Sequence, residues 1–150
     1  MSKPSKHIIL VAGEASGDMH GAHLVDAIKQ MAPSVTFSGL GGPRMKSSGV
    51  ELYQDLTQFA VVGFWEVMKH YREIKEIFHL ILEKAEATQA DAVILIDYPG
   101  FNLRLARELK KRGIKTIYYI SPQVWAWKKN RVYFIQQNVD HMLVLFQFEA

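Results

Sequence analysis

The 150 residues predict a doubly wound parallel α/β sheet in a single domain. Three observations carry that expectation. Short apolar runs alternate with stretches of helical periodicity along the whole chain. The runs are apolar at consecutive positions, as strands covered on both faces must be. Polar, glycine-rich loops follow them, at the carboxyl edge where open α/β sheets bind ligands.

The elements follow in order. HIILVA, residues 7–12, is the first strand. After a glycine loop, Leu24, Ala27, Ile28 and Met31 fall on one helical face, and Pro33 stops that helix. VTFSGL (35–40) is a second strand, followed by GGPRM and a short polar helix or turn ending near Gly49. Residues 64–87 form a longer helix, with Phe64, Val67, Met68, Tyr71, Ile74, Phe78, Ile81, Leu82 and Ala85 at helical spacing. Trp65 and Ile77 widen this stripe, while Lys69, His70, Arg72 and Lys75 line the other side. Two readings stand: a covered core helix, or an amphipathic surface that touches a bilayer. AVILID (92–97) and KTIYYIS (115–121) are strands, and NLRLARELKKRG between them is a helix with Leu103, Ala106 and Leu109 inward and Gly113 as its C-cap. DHMLVLF (140–146) is the last strand, and LVLFQFEA offers no helix to cover it. An all-parallel sheet wants both faces covered, so residues 1–150 are expected to be the N-terminal part of a longer protein.

Composition narrows the class. Apolar residues make up 49% of the chain, which supplies a core and excludes a disordered segment. Without cysteine there are no disulfides or thiolate metal sites, and the histidines at 7, 20, 23, 70, 79 and 141 lack metal-ligand spacing. Neither a metal nor a cofactor is expected. The first apolar run is six residues long and meets acid at once, unlike a secretory signal, and no run reaches the ~18 residues of a membrane span. A soluble cytoplasmic protein is the simplest expectation. The net charge is only +3, yet residues 103–131 hold half of the 18 Lys and Arg, against Glu108 alone. That stretch is either a solvated helix face or a patch for an anionic partner. Nucleic acid is not expected, because no aromatic-basic recognition module is present.

The loops carry the chemistry. LVAGEASGDMHG (10–21) sets Gly13, Gly17 and Gly21 every four residues, with Glu14, Ser16 and Asp18 between them. It matches neither the dinucleotide fingerprint nor the P-loop, and Glu14 and Asp18 would repel a pyrophosphate at the helix N-terminus. A sugar suits it better, since carboxylates accept hydrogen bonds from hydroxyls. Ser16 or Asp18 is also expected to cap the helix that follows. Asp97 ends an apolar strand and meets YPGFN, a position suited to proton abstraction or to a merely structural carboxylate. Pro99 and Gly100 are expected to form the turn and Asn102 to cap the next helix. SPQVWAWKKNR places Trp125 and Trp127 beside Lys128, Lys129 and Arg131, a wall for a sugar or apolar group with cations nearby.

Taken together, VAGEASGD, GLGGPRM, VVGFWEV, IDYPGFNLRLA and YYISPQVWAWKKNR resemble the lipid-A-disaccharide synthases, in order and over essentially the whole chain. That family consists of inverting glycosyltransferases with two Rossmann-like domains (the GT-B type). They join UDP-2,3-diacylglucosamine to 2,3-diacylglucosamine 1-phosphate in a β(1→6) linkage and release UDP, within lipid A biosynthesis. The resemblance implies that residues 1–150 are the N-terminal, acceptor-side domain, with the UDP donor held by a second domain and the isolated chain inactive. It implies Asp97 as general base for the acceptor 6-hydroxyl. Gly13, Glu14, Ser16, Gly17 and Asp18 would line the sugar pocket, joined by Gly42, Arg44 and Met45 of GGPRM, with Arg44 toward a phosphate, and by Asn102, Trp125 and Trp127. Acylated substrates imply peripheral contact with the inner membrane, for which Phe64, Trp65, Val67, Met68 and Tyr71 are the candidates. A homodimer of the full-length protein stays open. Gln147 departs from the family pattern, which usually has a proline before Phe-Glu. The rival readings are another sugar-nucleotide enzyme of similar architecture, a non-catalytic lipid- or sugar-binding module, and, weakest, a dinucleotide-dependent oxidoreductase.

Overall fold

A computed structural model describes residues 5–59, 71–120 and 139–144. Its strands are β1 His7–Ala12, β2 Thr36–Gly41, β3 Glu51–Asp55, β4 Ala92–Ile96, β5 Thr116–Ile120 and β6 His141–Val144. Its helices are α1 Ala15–Met31, α2 Pro43–Ser47, α3 Tyr71–Ala87 and α4 Pro99–Lys111, with a 3₁₀ turn at Leu56–Phe59. The strands form one sheet in the order β3-β2-β1-β4-β5-β6, and every pairing is parallel.

β1 shows why consecutive apolar residues are required. Ile9 and Val11 point into one core layer with Leu95, Ile81 and Leu105, while Leu10 and Ala12 point into the other with Ile94, Val25 and Met45. All four β1 residues are fully buried. Helices α3 and α4 thus cover one face and α1 and α2 the other, as a parallel sheet demands.

Three local expectations change. β3 is an additional strand at the sheet edge, and its Glu51, Gln54 and Asp55 hid it, since an exposed edge strand need not be apolar. The buried face of α1 is Gly17, Asp18, Gly21, Ala22 and Val25, whereas Met31 is 86% exposed. A methyl on Gly21 would stand 2.9 Å from the Ile96 and Met45 side chains, so α1 approaches the sheet through its small residues. Finally, α4 begins at Pro99 rather than Asn102, with proline at the first helical position where its missing N–H costs nothing.

Within α3, the inward stripe runs through Ile77, Ile81, Leu82 and Ala85. Ile77 is buried at one margin of that face, so it widens the stripe, and Tyr71 is 63% exposed. Phe64, Trp65, Val67 and Met68 lie outside the described residues, as do Trp125 and Trp127. No helix among the described residues is long and apolar enough to cross a membrane.

Candidate functional site

The sheet order reverses direction at β1 and β4, which pair with each other. From β1 the chain turns into α1 on one face, and from β4 into α4 on the other. The two loops diverge and open a crevice at their carboxyl ends, the place where such sheets bind ligands. Gly13 and Glu14 form one lip, and Asp97 and Tyr98 the other.

The Asp97–Tyr98 turn has an uncommon backbone. Both residues lie in the left-handed region, with φ of 47° and 50°. Each costs about 1–3 kcal/mol for a non-glycine residue, and such conformations persist only where surrounding contacts over-determine them. Those contacts are present. The Asp97 N–H donates to the Tyr119 carbonyl at 2.9 Å. The Asp97 carbonyl accepts from Asn102 Nδ2 and from the Tyr118 hydroxyl, each at 2.8 Å. The Tyr98 carbonyl accepts the Asn102 N–H at 3.0 Å, the first turn of α4. Asp97 is thus pinned by its backbone and only partly buried, and its carboxylate has no hydrogen-bond partner among the described residues.

The Tyr98 ring lies against Gly13. A methyl group there would sit 2.3 Å from Tyr98 Cδ1, so only glycine permits the contact. Burial pushes the Tyr98 phenol above its usual range, and the nearby Glu14 carboxylate pushes it further the same way. Glu14 itself is the N-cap of α1, exposed and making no side-chain cap bond; Ser16 is exposed beside it.

Other expected site residues serve the framework. Asp18 is 3% exposed and caps α2 rather than its own helix, which corrects the expectation that it or Ser16 caps α1. Its Oδ1 accepts from the N–H groups of Gly42 and Met45, both at 2.9 Å, and its Oδ2 from Arg44 at 3.0 Å. The α2 N-terminus, a ready anion site, is thus occupied from within the chain, and the Arg44 side chain remains exposed. Gly17 is buried against Ile96 and Ala12, and Met45 is a core residue. Asn102 is fully buried inside α4, so it does not cap that helix. Its Nδ2 stands 3.3 Å from the carbonyls of both Val11 and Ile96, besides Asp97, while Oδ1 has no partner among the described residues. An orphaned buried acceptor costs about 1–3 kcal/mol.

Beside Tyr98 a groove of about 390 Å³ runs between α3 and α4, walled by Tyr71, Ile74, Phe78, Tyr98 and Phe101 with Lys75 and Arg104 at its rim. A second hollow continues it past Arg104 and Arg107. Tyr98 and Tyr118 were missed in the sequence. Tyr98 had a signal in its place directly after Asp97; Tyr118 had none, because its role comes from pairing β4 with β5. Among the described residues no cluster of three or more His, Asp or Glu is placed to hold a metal.

The sequence profile of the lipid-A-disaccharide synthetase family matches residues 8–150. The chain belongs to this family. Curated relatives named lipid-A-disaccharide synthase include those of Coxiella burnetii, 45% identical over 145 residues (97% of this chain, 39% of the relative), and Nitrosococcus oceani, 48% identical over 150 residues (all of this chain, 39% of the relative). A third, from Syntrophus aciditrophicus, is 50% identical over 97% of this chain and 38% of its own. The chain therefore spans about two fifths of the length of these relatives. Among solved structures, the MurG of Acinetobacter baumannii is similar with a TM-score of 0.62 at 14% identity, covering 97% of this chain and 42% of that one. A ugt transferase from Siraitia grosvenorii in complex with UDP is similar at a TM-score of 0.51 and 10% identity, over 78% of this chain and 28% of that one. At these identities the likeness is one of fold.

Proposed function

We propose that this chain is the N-terminal, acceptor-side domain of an inverting glycosyltransferase. That enzyme joins UDP-2,3-diacylglucosamine to 2,3-diacylglucosamine 1-phosphate through a β(1→6) bond and releases UDP. The observation that carries the reading is Asp97, held by a pinned left-handed turn at the sheet's switch point, its carboxylate without a hydrogen-bond partner among the described residues. In this reading Asp97 takes the proton of the acceptor 6-hydroxyl as that oxygen attacks the donor's anomeric carbon. The bond to UDP breaks on the opposite side, which inverts the centre.

Glu14 and Ser16, exposed on the facing lip, accept and donate hydrogen bonds to sugar hydroxyls. Arg44 meets the acceptor phosphate with its side chain, since Asp18 already fills the backbone site behind it. Gly13, Gly17, Gly42, Met45 and Asn102 support the pocket by packing and backbone bonds. Tyr71 and the aromatic groove beside it, rimmed by Lys75 and Arg104, suit the headgroup level of an anionic inner-membrane surface. The donor is held by a second Rossmann-like domain beyond these residues, so the isolated chain has no transferase activity.

The test is disaccharide formation by the full-length protein from the two acylated substrates in mild detergent. UDP release coupled to disaccharide product supports the reading. Turnover of soluble sugar nucleotides instead, with no binding to anionic vesicles, would favour another sugar-nucleotide enzyme.

A further inference from the structure

We infer that Asn102 is the positioning residue for Asp97: its buried amide nitrogen holds the left-handed Asp97–Tyr98 turn and so aims the carboxylate into the crevice. This rests on the reading of Asp97 as the base.

The amide faces three carbonyls, those of Val11, Ile96 and Asp97. Val11 belongs to β1 and Ile96 to β4, so one side chain spans both strands of the switch point and the residue that leaves it. The shortest contact, 2.8 Å, is to Asp97. All three partners are acceptors, so the nitrogen must stand there; a flipped amide would set oxygen against oxygen. The oxygen is buried without a partner among the described residues. A side chain kept for packing alone would not bury an orphaned acceptor where an apolar residue of similar size fits. What the amide supplies that an apolar residue cannot is a donor to a carbonyl whose own residue has φ of 47°. The Tyr118 hydroxyl meets the same carbonyl at 2.8 Å, so two donors from different elements fix one strained peptide.

The experiment uses the full-length enzyme with Asn102→Leu, and separately Asn102→Ala, each followed by unfolding, by kinetics and by a crystal structure. Asn102→Leu should fold, lower kcat on the order of 100-fold and leave KM within about twofold, the signature of a misplaced catalytic group. Added to Asp97→Asn, it should change the residual rate by less than about twofold, because a positioning residue has nothing left to position. In the crystal structure, φ of Asp97 or Tyr98 should leave the left-handed region. Retention of both positive φ values with normal kcat would overturn the inference, as would full additivity with Asp97→Asn. Should the leucine variant not fold, Asn102→Ala, which removes the same donor without adding bulk, carries the same three readouts, and an unchanged turn and kcat there would overturn it. Failure of the base assignment is distinguishable: Asp97→Asn then stays active, while the φ values still report whether Asn102 holds the turn.

Discussion

Replacing Asp18 by alanine should destabilise the fold severely although the residue lies in a loop motif that reads as ligand-binding. Its carboxylate serves three backbone N–H groups, and two of those bonds, to Gly42 and Met45, are buried. Alanine leaves the two buried donors unpaired at about 1–3 kcal/mol each, while water reaches the third. It also removes a negative charge from a helix N-terminus, worth about 0.3–1 kcal/mol. The sum is on the order of 4 kcal/mol, a large part of the 5–15 kcal/mol that holds a domain together. Asparagine keeps an acceptor for Gly42 and Met45 and loses the bond to Arg44, so about half that loss is expected. Urea unfolding of the full-length protein, followed by tryptophan fluorescence and far-UV circular dichroism, measures both. A loss below about 1 kcal/mol for Asp18→Ala would refute the capping account, and Asn losing as much as Ala would refute its apportionment.

Gly13→Ala should cost about 1–3 kcal/mol by overpacking and displace Tyr98; a crystal structure with the ring unmoved would contradict the close packing of Tyr98 on Gly13. His7, whose ring nitrogens each lie 2.7 Å from the hydroxyls of Thr36 and Ser38, is held below its usual 6.5 by burial, against the opposing pull of Glu51 and Asp91. The unfolded state then binds the proton more readily, so His7 adds stability above pH 6.5 that is lost as pH falls from 6.5 through its lowered value. Urea midpoints across that window should fall with pH and flatten in His7→Gln; a midpoint that rises on acidification would contradict the direction. Leu105→Ala, at a fully buried position between α4 and the sheet, should cost about 2–5 kcal/mol in the same assay. A loss of less than 1 kcal/mol would mean that this layer collapses around the gap.

The sheet was legible because β1 and β4 are buried on both faces, and that condition forces uninterrupted apolar runs. β3 was not, since an edge strand is half wet and its sequence need not alternate cleanly. The helix α1 misled for a related reason: large apolar residues mark a stripe only where helix and sheet keep an ordinary distance, and here glycines bring them together. At the site, Asp97 and Glu14 stood out because a carboxylate after an apolar run has few structural uses. The partners of Asp18, and the bond of Asn102 to Val11, were invisible for the opposite reason, as they join residues 24 to 27 and 91 positions apart. Local sequence suggests a cap on the adjacent helix; tertiary packing supplied a different one.

The central claim is that Asp97 removes the acceptor proton, and the kcat of full-length Asp97→Asn on the two acylated glucosamine substrates tests it most directly. The amide keeps the shape of the turn but accepts no proton. The account predicts a fall in kcat of about 10²–10⁴-fold with KM for the acceptor nearly unchanged. A variant that turns over at close to the wild-type rate would contradict it.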